Sequence, residues 1–142
     1  MRLAPEEARA LLAKARVARL ATVRPDGAPH VVPVCFALAG GTVYTAVDAK
    51  PKRTPDLARL ANIAAEPRVA LLADHYEDDW TRLWWVRLDG IARTVTDGRE
   101  RAAAVTALAA AYPQYAADPP AGSVVAIAPR RWSGWRASSM RT

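Results

Sequence analysis

The segment Lys50-Pro51-Lys52-Arg53 places three cations within four residues, and it is the part of the sequence best suited to bind an anion. The chain has only three lysines, and two of them fall here. Thr54 and Pro55 follow, which predicts a helix start, because threonine caps helices and proline is favoured at the first helical position. Cations and unpaired helix-start amides would then converge, as they do in phosphate sites. Taken alone, however, a solvated basic turn is the commoner explanation of such a run.

The other reactive side chains form no recognised catalytic or metal-binding pattern. Cys35, the single cysteine, lies in a valine-rich stretch, which favours a buried thiol over a nucleophile. His30 begins that stretch and is expected to be a half-exposed polar residue, or to face a cofactor. His75 has acidic neighbours whose spacing fits no standard metal site, so we expect no metal. The catalytic residues are therefore unknown at this stage, with His30, Tyr44 and Tyr76 as candidates for a proton donor.

Two adjacent tryptophans, Trp84 and Trp85, lie in a stretch that is expected to form a strand. Because successive strand residues point to opposite faces, one indole is expected in the core and the other outside. An outward indole favours contact with a partner chain or a planar ligand. The simpler alternative is that the tryptophans only pack a small core.

Composition and charge limit the class of protein. The 142 residues are 51% hydrophobic, so we expect a single domain over residues 1–142 with a real core. We recognise neither a secretory signal nor a bilayer-spanning run, and we therefore expect a cytoplasmic protein without a membrane partner. The net charge of +6 fits an anionic ligand, or simply solubility. Because no nucleic-acid-binding motif accompanies this charge, nucleic acid is not an expected partner.

Local patterns alternate between strands and single helices. Strands are predicted over residues 17–23, 29–38, 42–47, 68–73, 82–95 and 123–128, and helices over residues 5–14, 55–65 and 99–111. Pro33 indicates an edge strand or a bulge, and Gly90 a bulge. Residues 112–122 are expected to be irregular, and an arginine- and tryptophan-rich tail follows the last strand after residue 128. The hairpin connections predict an α+β, mainly β fold: an antiparallel closed or split barrel with flanking helices, rather than a doubly wound parallel sheet.

Several segments resemble the pyridoxamine 5'-phosphate oxidase-like superfamily, which has the FMN-binding split-barrel fold, and the resemblance covers nearly the whole chain. The segments are Ala21-Thr22-Val23 with residues 25–34, Asp48-Ala49-Lys50-Pro51-Lys52-Arg53, residues 57–63 and residues 74–87. The last segment is the narrowest in distribution, and it is similar to the actinobacterial subgroup of F420-dependent oxidoreductases, type B. The resemblance implies a split barrel and a homodimer that holds its cofactor in a groove between the subunits.

The resemblance also implies three groups of cofactor-binding residues. The first group runs along the flavin-like ring and bonds to the ring edge through its backbone: His30, Val31, Val32, Pro33 and Val34. The second group holds the phosphate: Lys50 and Lys52, with weaker contributions from Arg53 and Thr54. The third group, which contributes to the groove or to the dimer core, is Trp84 and Trp85.

The function implied by the resemblance is an F420-dependent reductase, in which the deazaflavin ring passes a hydride and the protein supplies position and electrostatics. The alternatives are an FMN-dependent oxidoreductase of the same fold and a carrier that binds F420 or flavin without turnover. Vitamin B6 oxidation is not expected. The C-terminal run Arg130-Arg131-Trp132-Ser133-Gly134-Trp135-Arg136 does not align with the substrate-binding pattern of those oxidases.

Overall fold

A seven-stranded antiparallel sheet forms the body of the protein, and helices pack against it. The structure is a computed structural model that describes residues 1–47 and 55–138. The strands are β1 (Ala18–Val23), β2 (Pro29–Val34), β3 (Phe36–Ala39), β4 (Thr42–Ala46), β5 (Arg68–His75), β6 (Trp84–Val95) and β7 (Val124–Arg136). The helices are α1 (Pro5–Lys14), α2 (Pro55–Ala65), α3 (Gly98–Ala111) and α4 (Pro113–Ala117), and a 3-10 turn covers Trp80–Arg82.

The sheet curls into an open barrel because its two edge strands are consecutive in the chain. The strand order is β2-β1-β5-β6-β7-β4-β3, and each neighbouring pair is antiparallel. Cys35 alone separates the end of β2 from the start of β3, so the two edges approach to about 7 Å there, two Cα–Cα steps. The predicted antiparallel split barrel with flanking helices is confirmed.

Leucines form the centre of the barrel core. Leu20, Leu71 and Leu88 lie side by side across β1, β5 and β6, and each is at most 1% exposed. Leu12 of α1 and Ile63 of α2 join this cluster from the inner face of the sheet. A second apolar cluster lies under α3, against β3, β4 and the first half of β7. The helices thus leave the outward side chains of β2, β1 and β5 accessible.

The first two helices have the bounds that the sequence predicts. In α1, Pro5 stands at the start, and the Glu7 side chain accepts a hydrogen bond of 2.8 Å from the Ala4 N–H. This bond satisfies one of the amides that a helix start leaves unpaired. Among the described helices, none is long and apolar enough to cross a membrane.

The C-terminal segment departs most from the predicted elements. The last strand was predicted to end at residue 128, but β7 continues through the arginine- and tryptophan-rich tail as far as Arg136, paired along the whole of β6. Gly134 permits this packing, because a Cβ there would lie 2.9 Å from Leu3 Cδ1. Residues 112–122 also contain a short helix, α4. Both differences arise from partners distant in sequence, which local patterns do not encode.

Two local interpretations of the strands are confirmed, and one is shifted. The pairing of β6 with β7 changes register between Asp89 and Gly90, the bulge that Gly90 predicts. Strand β2, with Pro33, lies at the sheet edge. The stretch predicted as one strand over residues 29–38 breaks at Cys35 rather than at Pro33, because the chain crosses there from one sheet edge to the other.

Candidate functional site

The predicted phosphate-binding residues Lys50, Lys52, Arg53 and Thr54 lie outside the described residues, so their roles stay predictions. The described chain on either side ends with β4 and resumes with α2. Helix α2 carries two buried polar side chains, Arg59 and Asn62, and Arg59 bonds to the end of β4. The candidate site therefore consists of described residues on either side of the basic segment.

The free edge of β2 is the first part of this site. Among the strands of residues 1–47 and 55–138, β2 has one neighbour, β1, and its other edge is unpaired. Proline has no N–H to donate. Pro29 and Pro33 therefore leave the hydrogen bonds between β1 and β2 intact only if their nitrogen atoms point away from β1. Val31 lies midway between the two prolines and shares their orientation. We infer that its N–H and C=O face the free edge, where they are available to a ligand.

The side chains of β2 divide between the two faces of the sheet. Val31 points outward, lies beside Ala21 of β1 and is 59% exposed. His30, Val32 and Val34 point the other way, and their burial increases towards the core. The predicted ring-facing residues therefore form one strand, but a ligand at the edge would meet them through the backbone and not through five side chains at once.

Two buried polar side chains and a half-buried histidine lie beneath this strand, and we call them the polar cluster: Thr22, Asn62 and His30. Asn62 of α2 donates its Nδ2 hydrogen to Thr22 Oγ1 at 3.0 Å, and both residues are at most 3% exposed. His30 stands directly opposite Thr22 in the pairing of β1 with β2. His30 Nδ1 is buried and has no hydrogen-bond partner among the described residues. A buried polar atom of this kind calls for a partner, so the cluster fits a polar ligand at the β2 edge.

Arg59 adds a buried cation next to the polar cluster. It is 7% exposed, and its Nη1 donates to the carbonyl of Ala46 at the end of β4, at 3.3 Å. It precedes Asn62 by three residues, so both lie on the same face of α2. Sequence reasoning missed Arg59, Asn62 and Thr22. The available signal was that Arg59 and Asn62 are three residues apart on the predicted helix, directly beside the apolar pair Leu60 and Ile63.

The two tryptophans point to opposite faces, as predicted. Trp84 packs against the barrel core. Trp85 points outward, where the guanidinium of Arg87 stands 5.8 Å from its ring centroid. Strands β1 and β5 separate β6 from β2, a distance of about 14 Å at the usual strand spacing. Within one chain, the tryptophans and the ring-facing strand are not brought together.

The tyrosine candidates for a proton donor lie away from the polar cluster. The Tyr44 hydroxyl donates to Glu100 Oε2 at 2.8 Å, and Arg93 also pairs with Glu100. Burial, followed by this hydrogen bond, raises the pKa of Tyr44 above its usual value. Tyr76 is 68% exposed. Of the three candidates, His30 alone belongs to the polar cluster.

His75 does not form part of a metal site in the described chain. It contacts Glu77, which also pairs with Arg82 at 3.2 Å. Among the described residues, no group of histidine, cysteine and acidic side chains could hold a metal ion. The Glu77 carboxylate, which contacts His75 and pairs with Arg82, instead connects β5 to the 3-10 turn.

The curled sheet with an open edge strand defines the class as a split β-barrel. A family model described as pyridoxamine 5'-phosphate oxidase matches residues 4–136, and the chain belongs to this family. A comparison with curated proteins finds no match.

Solved structures agree with this assignment of the fold. A conserved hypothetical protein from Mycobacterium tuberculosis has 21% identity and a TM-score of 0.78, covering 99% of this chain and 92% of that one. A FAD-binding protein from Mesorhizobium loti has 23% identity and a TM-score of 0.72, covering 94% and 95%. A heme-binding protein from Mycobacterium smegmatis has 27% identity and a TM-score of 0.75, covering 96% of this chain and 55% of that one.

Proposed function

We propose that the chain is an oxidoreductase that binds coenzyme F420 and passes a hydride between its deazaflavin ring and a small organic substrate. The observation that carries this proposal is the free edge of β2, where the Val31 amide lies above the polar cluster in a member of this family. The bound cofactor would supply the hydride chemistry, and the chain would supply position and charge.

The ring-facing residues and the phosphate-binding residues have separate roles in this proposal. The Val31 N–H donates to the ring edge, and His30 Nδ1 bonds to a polar atom of the ligand. The wall of the ring site is formed by Val32, Pro33 and Val34. Phosphate is bound by Lys50 and Lys52, assisted by Arg53 and Thr54. Arg59 strengthens the positive potential at the end of β4, which favours an anion there.

The two candidate cofactors, F420 and a flavin, are supported by different similarities. The resemblance of residues 74–87 to F420-dependent oxidoreductases supports F420, whereas the similar fold of a FAD-binding protein supports a flavin such as FMN. We expect calorimetric titration of the native chain to give a Kd for F420 at least roughly tenfold below that for FMN, about 1.4 kcal/mol. Tighter binding of FMN would replace our proposal by the FMN-dependent alternative.

A carrier without turnover is the second candidate function. It is favoured by the small number of proton donors near the proposed ring site, since a reductase has to protonate its substrate. Tyr44 is bonded to Glu100 and Tyr76 is exposed, so His30 is the candidate left at the polar cluster. Reduced F420 bound to the chain would be mixed with a panel of enones, quinones and tetrapyrroles, and its oxidation followed by absorbance. Tight binding without oxidation of the cofactor by any acceptor would identify a carrier.

A homodimer completes the proposed site, because one chain keeps Trp85 and β2 apart. The outward face of β2, β1 and β5 offers a surface for a second copy. Val31, Ala21 and Ala70 form a row across these strands, and Leu72 lies in the next row. Val31 is 59% exposed, so pairing two such faces would remove apolar surface from water.

We expect the chain to be a dimer at micromolar concentration, and Ala70→Arg to make it monomeric, because a charge at the centre of the interface would be buried without a partner. Sedimentation velocity measures both. The matched control is Ala103→Arg on the exposed side of α3, which should stay dimeric. A monomeric native chain would contradict the shared groove.

A further inference from the structure

A groove of about 700 Å³ runs along β6, β7 and the N-terminal segment, away from β2. This volume lies in the range of small-molecule sites. Of its lining residues, the proposed function uses Trp85, and it gives the rest of the groove no role. Its lining contains three arginines and three tryptophans: Arg2, Arg87, Arg131, Trp85, Trp132 and Trp135. We call it the Arg-Trp groove.

The N-terminal segment builds one wall of the Arg-Trp groove. Arg2 pairs with Trp135 as an isolated β-bridge, and the Leu3 N–H donates to the Gly134 carbonyl at 3.0 Å. Gly134 allows this approach, because a Cβ there would stand 2.9 Å from Leu3 Cδ1 and 3.0 Å from Val86 Cγ1. The segment therefore lies against β7 and brings the Arg2 cation to the indoles.

Aromatic side chains form the floor of the groove. Trp85 and Trp135 are directly opposite each other in the pairing of β6 with β7, on the outward face. Trp135 is 37% exposed, and Trp85 is partly buried beneath Arg87. Indole rings have large flat apolar surfaces, and exposing these surfaces to water costs free energy. A planar ligand would cover them.

The charge of the groove indicates an anion. Three arginines line it, and no carboxylate lines it among the described residues. Two acids lie beside these residues: Asp89, whose Oδ2 is 3.3 Å from Arg87 Nε and which is paired in register with Arg131, and Asp74, which is paired in register with Trp85. Asp74 forms an ion pair with a further arginine, Arg19, at 3.6 Å, so the guanidinium groups around the groove outnumber the carboxylates. Guanidinium groups bind carboxylates in bidentate fashion and stack on aromatic rings. A ligand that has both an aromatic ring and a carboxylate would therefore cover the indoles and balance the charge of the arginines.

We propose that the Arg-Trp groove binds small aromatic carboxylates, with the ring on the indoles and the carboxylate on the arginines. The test is calorimetric titration of the full chain with naphthalene-2-carboxylate and, as the neutral counterpart, naphthalene-2-methanol. We expect saturable binding of the acid at about one per chain, at least roughly tenfold tighter than the alcohol, because the charge-assisted bonds are lost in the alcohol.

Two substitutions change the groove, and one serves as a control. Arg131→Gln removes a cation and Trp135→Leu removes an indole, and each should weaken binding of the acid by at least roughly fivefold. Arg99→Gln, on the exposed side of α3, should leave the Kd unchanged. Far-ultraviolet circular dichroism checks that each variant is folded, and either groove variant alone is sufficient for the test.

Four results would overturn the inference. Equal binding of acid and alcohol, or unchanged binding in both folded groove variants, would remove the anion-binding role. Displacement of the acid by saturating F420 or FMN would assign the groove to the cofactor site. Monomeric groove variants of a dimeric native chain would assign it to contact between copies. Failure of cofactor binding with intact carboxylate binding would instead count against the proposed function alone.

Discussion

Replacing Lys50 and Lys52 together by alanine is expected to weaken cofactor binding by roughly 100-fold or more. Hydrogen bonds to charged groups contribute about 1.5–3 kcal/mol each, and about 1.4 kcal/mol corresponds to a factor of ten in Kd. The two lysines are proposed to act on the same phosphate, so their loss removes two such bonds. Calorimetric titration with F420 and with FMN measures the change.

The matched control for this experiment is Lys14→Ala, which changes the third lysine of the chain, exposed in the last turn of α1. Its Kd values should equal those of the native chain. A comparison of FMN with riboflavin isolates the phosphate, because the two ligands differ by that group. The native chain should prefer FMN, and the double variant should lose most of that preference. An equal preference in both proteins would contradict a phosphate grip at Lys50 and Lys52.

Gly90→Ala is expected to lower the free energy of unfolding by about 1–3 kcal/mol, the usual cost of overpacking. A Cβ at Gly90 would lie 2.7 Å from both the Ala128 carbonyl oxygen and Ile127 Cγ2. The carbonyl belongs to the backbone of β7, so it can move only if the bulge between β6 and β7 is remodelled. Urea denaturation followed by circular dichroism measures the change.

Gly122→Ala is the matched control, because its added Cβ would approach the Val47 carbonyl oxygen at 3.5 Å, an ordinary contact. We expect this variant to change the unfolding free energy by less than about 0.5 kcal/mol. Equal stability of the two variants would show that the chain relieves the Gly90 contact by shifting the bulge. That result would contradict the predicted overpacking between Gly90 and β7.

Local signals explain why the first part of the fold is predictable. α1 and α2 have the predicted bounds because each begins with proline, and the first turn of α1 carries Glu6 and Glu7 where the helix dipole favours them. The edge position of β2 and the bulge at Gly90 are also local, since proline and glycine impose them through backbone geometry. The second half of β7 has no such signal, because its arginine- and tryptophan-rich run becomes a strand by pairing with β6.

The candidate site divides in the same way. Residue types and family resemblance predicted a cofactor-binding role for the strand from His30 to Val34 and for the basic segment near Lys50. They could not identify the partners that the fold brings from distant segments. Thr22 meets Asn62 across 40 residues, and Arg59 meets the Ala46 carbonyl from the adjacent helix. These contacts depend on where α2 packs, which is a property of the whole core.

By itself, the sequence of this protein determined its class, its antiparallel strands and its cationic segment, because these depend on short-range periodicity and residue chemistry. The tertiary structure alone decided which side chains of β2 are buried, which backbone amide faces the free edge, and where the Arg-Trp groove lies. The reason is physical: burial and charge clustering depend on elements far apart in the chain, such as Arg2 and Trp135, that meet only when the sheet curls.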